Sequence, residues 1–441
     1  MSARPALRSP HDREIVRLAV PAFGALIAEP LYVLADTAVV GRLGTTQLAG
    51  MAVAASVLLT LYSVFIFLAY GTTAAVSRLL GAGDEREAAH QAVQSLWLAA
   101  LIGAGLIVVG YLLSEPVVGA LGAEGAVRTN ALVYLRISLL GLPAMLVVLA
   151  GTGYLRGLQD TRTPLFLAIG TGLLNLVLEL VLVYGFDRGI GASALTTVVA
   201  QWVAAGFYVA RVAASARHLG ASLSPHPASL RRLLVVARDL LVRTAALRAS
   251  LVVATAVATR IGTVDVAAHQ VAFEVWTFLA FTLDAVAIAG QAIVGRTLGA
   301  GDGDEARAVG RRMIEWGVML GVVLGALLLL LRPLLPHLFT DDDAVIALAQ
   351  FVLVWVAVVQ PLNAVAFVLD GVLIGAGDQH FLAWAMAGAA AVFVPAAVAV
   401  AVLGLGIGWL WAALGLLMAV RAGSLLWRFS GDAWVVLGAT R

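Results

Sequence analysis

Cysteine is absent from the 441 residues, which excludes disulfides, thiolate metal centres and thiol nucleophiles. Lysine is absent as well, and all 28 basic residues are arginine. A Walker A loop needs lysine on the phosphates and a pyridoxal enzyme needs it for its Schiff base, so both are excluded. Energy for any pumping then falls to an ion gradient. Charge is scarce altogether, 12% of residues against about 25% in soluble domains. Hydrophobic residues make up 61%, an excess that calls for lipid and not for a larger core. With a formal net charge of only +2 and no single basic patch, no nucleic-acid partner is expected.

What is present is a series of apolar runs, each near the ~20 residues that span a bilayer. They fall near 16–40, 48–77, 91–113, 127–150, 164–186 and 190–214, then near 235–259, 265–296, 307–331, 345–370, 381–403 and 407–428. Twelve spans place both termini on one side, and the arginines choose it. The N-terminus, the loops after even-numbered spans and the C-terminus hold most of them, including Arg4, Arg8, Arg13, Arg17, Arg78, Arg86, Arg156, Arg162, Arg421, Arg428 and Arg441. The opposite side holds Arg42, Arg128, Arg188, Arg260 and Arg332. Both termini are expected to be cytoplasmic, in a multi-pass protein of the cell inner (plasma) membrane. The first apolar run continues well beyond the length of a signal-peptide core.

The halves repeat at an offset of 218. Leu80-Gly81-Ala82-Gly83-Asp84 recurs as Leu298-Gly299-Ala300-Gly301-Asp302, Pro143 maps onto Pro361, Gly153 onto Gly371, and Gly157 with Asp160 onto Gly375 with Asp378. The offset contains six spans, so the halves share one orientation. The expected fold is an all-α integral membrane protein: two six-helix lobes, 1–218 and 219–441, related by a pseudo-two-fold axis along the membrane normal around a cavity. The loops at Gly83-Asp84 and Gly301-Asp302 are expected to be glycine turns with capping acids.

Asn175 and Glu179 stand four residues apart in the apolar run of span 5 and so share a helix face. A carboxylate at membrane depth costs about 2.5–3.5 kcal/mol and by default marks an ion or substrate path. Asp36 in span 1, Tyr134 in span 4 and Thr197 in span 6 bring further polar groups to a similar layer. Asp36, Asn175 and Glu179 map onto Ala254, Phe393 and Ala397 at the 218 offset, so a polar set required by the shared fold does not explain them. Two buried carboxyls side by side can share a proton, while carboxylate, amide and hydroxyl oxygens also suit a hard cation such as Na⁺, at Asp36, Asn175, Glu179 and Thr197. Pro21 lies inside span 1, where it removes a helix hydrogen bond and can act as a kink or hinge.

In the second half, Glu274 and Asp284 of span 8 and Asp370 of span 10 are candidate substrate or coupling acids, with Arg243 or Arg248 of span 7 as partners for the first two. Arg136 is expected in an internal salt bridge or bound to backbone carbonyls, His269 as a packed polar residue, and Trp409, Trp411 and Trp427 as interfacial anchors. No nucleophile–base pair or metal-ligand spacing is found at depth, so the chain is not expected to be an enzyme.

Asp36-Thr37 with Gly41, Leu80 to Asp84, Gly157 to Pro164, Asn175 with Glu179, Ala267-Ala268-His269-Gln270 and Asp370-Gly371 together resemble the multidrug and toxic compound extrusion (MATE) transporters, in their DinF-like branch. The resemblance spans both halves. It implies an antiporter exporting organic compounds against H⁺ or Na⁺, with the cation-coupling site at Asp36, Tyr134, Asn175, Glu179 and Thr197 and the kinking proline at Pro21. Position 179 is usually Asp in the family and is Glu here. No cofactor beyond the coupling ion is expected; the partners are a small-molecule substrate and the lipid bilayer, and the chain is expected to be a monomer. A lipid-linked precursor flippase of related architecture is the alternative.

Overall fold

The computed structural model describes residues 9–186 and 189–440; Arg4, Arg8, Arg188 and Arg441 of the charge asymmetry lie outside them. The described residues contain helices and turns and no strand. The first half comprises α1 (Asp12–Gly41), α2 (Thr45–Phe65), α3 (Phe67–Gly81), α4 (Glu85–Ala120), α5 (Gly125–Leu139), α6 (Leu142–Gly157), α7 (Arg162–Glu179) and α8 (Ile190–His218). The second comprises α9 (Pro227–Ile261), α10 (Thr263–Gly299), α11 (Gly303–Leu331), α12 (Asp343–Gly375), α13 (Gln379–Val402) and α14 (Ile407–Ser430). Among the described residues eleven stretches are long and apolar enough to cross a membrane. The twelfth expected span is the pair α5 and α6, bent by 49° at Leu140-Gly141.

The chain gathers into two compact units, one of Gly24–Ala237 and the other of Arg238–Arg441 with the start of the chain to Phe23. The connection after α8 stays with the first unit because α4 holds its backbone. Arg86 donates to Gly220 O, Gln94 to Ser224 O at 2.9 Å and Trp97 to Leu223 O, while His226 N donates back to Gln94. At the other boundary, the first turns of α1 are held by α11. Arg312 grips both oxygens of Asp12 at 2.7 and 2.8 Å, and Trp316 Nε1 adds a third bond at 2.9 Å. Pro21 lies in α1 two residues before the unit boundary, and the helix runs unbroken through it.

The 218-residue repeat has a packing cause. A Cβ on Gly153 would meet Ala69 O at 2.5 Å and Thr72 Cβ at 2.9 Å, so α6 approaches α3 backbone to backbone. Gly371 and Gly375 allow the same approach of α12 to the backbone of α10. The two glycine turns also behave alike. Gly83 and Gly301 take φ 78° and 84°, and Asp84 and Asp302 each accept from a backbone N–H three residues on, both at 2.9 Å. They are helix caps, as expected. Three arginines assigned to loops are instead buried in helices: Arg78 in α3, Arg156 in α6 and Arg421 in α14. A long side chain near a helix end folds back over its own unit, which the linear charge pattern does not reveal.

Candidate functional site

The polar groups of the first unit meet on four helices. Asp36, buried on α1, accepts hydrogen bonds on both oxygens: from Tyr134 Oη of α5 at 3.2 Å and from Ser193 Oγ of α8 at 3.1 Å. Glu179 ends the α-helical part of α7 and is 0% exposed. Its carboxyl lies beside Asp36 and Ser193, yet neither oxygen closes a hydrogen bond of regular geometry. Asn175, 1% exposed and one turn earlier on the same face, also leaves its Oδ1 unpartnered. Thr197 is not on Asp36 itself. Its Oγ1 pairs with Tyr32 Oη at 2.7 Å and reaches Ser193 O at 3.3 Å. The site is therefore a carboxylate pair backed by an amide, two hydroxyls and two phenols.

Directly after Glu179 the helix widens into a π-helical segment, Leu180–Gly185. Such widenings concentrate at functional positions. Here the segment also brings Tyr184 Oη to the Val39 carbonyl of α1 at 3.1 Å, tying the two acid-bearing helices together. The second unit shows what the fold does without the polar set. Ala254, Val352, Phe393, Ala397 and Trp411 stand at the repeat positions of Asp36, Tyr134, Asn175, Glu179 and Ser193. All five belong to one buried apolar cluster.

Comparison with known sequences gives the family. The sequence pattern of the MatE family matches residues 21–181 and 244–399, well over half of the chain. The chain belongs to the MatE family. It is 31% identical over 428 residues to DNA damage-inducible protein F of Escherichia coli, covering 95% of this chain and 92% of the relative. Identity to Protein DETOXIFICATION 44, chloroplastic, of Arabidopsis thaliana is also 31%, over 94% of this chain and 81% of that one. In fold it is similar to the Vibrio cholerae MATE transporter VcmN in the bent form, with TM-score 0.87 at 20% identity over 96% and 98% of the two chains. A MOP-superfamily transporter from Pyrococcus furiosus gives TM-score 0.86 at 22% identity over 98% and 99%. MatE proteins are multi-pass membrane transporters of drugs and toxic compounds, and this one is a transporter of that family.

In the second unit of this MatE chain the acids part company. Asp370 is buried on α12 between the guanidinium groups of Arg243 and Arg421, both ion-paired to it. Arg243, expected beside Glu274 or Asp284, is thus also a partner of Asp370. Glu274 is exposed on α10 and accepts from Gln270 at 2.8 Å, its helical neighbour. Asp284 is half-buried on the same helix. Arg136 pairs with Glu115 at 2.8 Å, but the Glu115 side chain is 54% exposed, so the bridge lies at the surface of the unit and is not internal as expected. His269 is buried among Phe273 and Trp411, with Thr255 Oγ1 at 3.3 Å. Trp409 and Trp427 are exposed as interfacial anchors should be, but Trp411 is buried, its indole replacing the small Ser193 of the repeat in an aromatic-lined pocket of about 30 Å³, room for about two waters.

Sequence reasoning missed three contributors. Ser193 lies one helical turn before Thr197 and could have been found from that spacing. Tyr32 shares a face of α1 with Asp36 at i−4. The π segment left no sequence signal.

Proposed function

We propose that this MatE chain is a secondary antiporter that exports organic cations, amphipathic drugs or toxic metabolites in exchange for protons bound at the Asp36–Glu179 pair. One observation carries the assignment. Asn175 Oδ1 and both Glu179 oxygens are buried acceptors without hydrogen bonds, beside a second carboxylate. Buried acceptors left this way are costly, and a bound proton supplies a donor, or a metal cation a coordinating positive charge, for them.

The chain's residues give the exchange its physical basis. A proton entering from the outer side removes one charge from the pair and gives it a donor. That changes what α1, α7 and α8 gain by packing around it, with Pro21 as the hinge of α1. Release of the proton toward the cytoplasm restores the charge for a cationic substrate, by alternating access. The shift in either direction is limited by the differential binding of proton and substrate to the two states. Na⁺ coupling is the second reading, favoured by the oxygen donors of Asp36, Asn175, Glu179 and Thr197, a set suited to a hard cation. The protein works as a monomer in the cell inner membrane with both termini cytoplasmic, as the arginine asymmetry supports, and needs no cofactor beyond the coupling ion.

The test is substrate efflux from proteoliposomes under separate proton and sodium gradients. A proton gradient alone should drive efflux, and Asp36→Asn or Glu179→Gln should abolish the drive while leaving the protein folded. Wild-type rates in both variants would overturn the assignment, and a strict requirement for the sodium gradient would replace the proton with Na⁺.

A further inference from the structure

We propose that Glu29 is a third proton-carrying carboxylate of this transporter, linking the Asp36–Glu179 pair to the Arg-rich end of the first unit through Tyr32 and Tyr62. The inference rests on the proton-coupled reading above and adds a residue and a route to it.

Glu29, Tyr32 and Asp36 stand at i, i+3 and i+7 on α1, one stripe of a helix. The acids are about 10 Å apart along the axis, too far for direct transfer. Tyr32 fills the interval. Its hydroxyl is hydrogen-bonded to the Thr197 hydroxyl at 2.7 Å, Thr197 donates to the backbone carbonyl of Ser193, and the separate side-chain hydroxyl of Ser193 donates to Asp36, so these bonds hold the phenol beside the pair and do not themselves carry the proton. The same phenol lies close enough to feel the charges of Asp36, Glu179 and Glu29 together. Beyond Glu29, Tyr62 of α2 reaches its carboxylate. Tyr62 in turn neighbours Tyr70 of α3 and Arg156 of α6. Arg156 and Asp160 both lie near Tyr208 of α8, whose hydroxyl accepts from Thr152 at 2.9 Å. Asp160 caps the next helix by accepting from Thr163 N at 3.0 Å, beside Arg162. Polar groups thus lie at intervals between the coupling pair and the loop after α6.

Two facts separate this chain of groups from ordinary packing. Glu29 has no ion pair to a cation among the described residues, and its residue is half-buried, so its charge is not neutralised by a structural partner. The repeat also dispenses with it: Glu29, Tyr62, Tyr70 and Arg156 map onto Leu247, Ala280, Ile288 and Ile374. In each transfer one O–H breaks and another forms. The proton leaves the pair as a carboxyl O–H breaks, the Tyr32 hydroxyl passes one on as it receives one, and Glu29 changes from carboxylate to carboxylic acid until it gives the proton to water on the Tyr62 side. No electron moves and no co-reactant is needed.

The experiment compares two modes of transport in proteoliposomes holding wild type, Glu29→Gln or Glu29→Asp, with tetraphenylphosphonium as the probe cation. Counterflow exchanges probe for probe without net proton movement, whereas gradient-driven transport needs the proton to cross. Glu29→Gln should keep counterflow within twofold of wild type and lose at least tenfold in gradient-driven transport, with Glu29→Asp recovering most of the loss. Equal gradient-driven rates in Glu29→Gln and wild type would overturn the proposal. So would loss of both modes in a variant that still elutes as a single species in detergent, since that marks a substrate-binding or structural role. Failure of wild type itself to use a proton gradient would sink the proton-coupled reading instead, and is visible before any variant is tested.

Discussion

Asp370 is the sharpest place to separate an acid that couples from one that holds the fold. Its side chain is 7% exposed, and those of Arg243 and Arg421 are 11% and 2% exposed. Asp370→Asn keeps the shape and removes the charge that both guanidinium groups face. Breaking a buried ion network by removing one partner costs about 3–5 kcal/mol, because uncompensated charge stays behind. At about 2–4 °C per kcal/mol for a unit of this size, the melting temperature should fall by roughly 6–20 °C. The assay is thermal unfolding of purified protein in detergent, with Glu179→Gln alongside; the latter replaces a carboxyl whose oxygens have no hydrogen-bond partner and should melt within about 3 °C of wild type, a change of about 1 kcal/mol. Adding Arg421→Met should recover part of the loss in Asp370→Asn. Arg421 lies 5.2 Å from the Phe367 ring and within reach of Met418, a setting that a flexible thioether fits. If Asp370→Asn melts like wild type yet loses gradient-driven transport, then Asp370 is a coupling residue and the structural assignment is wrong.

Three further outcomes are expected. Tyr134→Phe removes one of the two hydrogen bonds to Asp36, worth about 1.5–3 kcal/mol when the acceptor is charged, and should shift the pH dependence of transport while expression stays normal; an unchanged pH profile would remove Tyr134 from the site. Gly153→Leu forces α6 away from Ala69 and Thr72 and should lower stability by about 1–3 kcal/mol or more, seen as a lower melting temperature, whereas the same change at Gly206, with open space around it, should be neutral. Because the chain has no native cysteine, Ser222→Cys and Glu124→Cys give clean single labels, and a membrane-impermeant maleimide on whole cells should modify only Glu124→Cys; the reverse pattern would invert the proposed topology.

Much of this protein is decided by local sequence alone. Apolar runs of spanning length, the glycine turns at Gly83 and Gly301 and the Asn175–Glu179 spacing depend only on residues near one another, so composition and helical period determine them. The 218-residue repeat extended that to the architecture, and it already marked Asp36, Asn175 and Glu179 as dispensable to the fold. What only the tertiary structure decided is which groups meet across helices. That Ser193 and Tyr134 take Asp36 between them, that Tyr32 and not Asp36 holds Thr197, and that Arg243 and Arg421 converge on Asp370 all follow from helix rotation and approach. Those are set by backbone contacts such as Gly153 against Ala69, which spacing within a single helix does not encode. The burial of Trp411 has the same cause: a belt-like tryptophan in sequence becomes a core residue once α14 turns that face inward. The π segment after Glu179 is the extreme case, since one extra residue per turn leaves no mark in the apolar pattern yet joins the two acid-bearing helices through Tyr184.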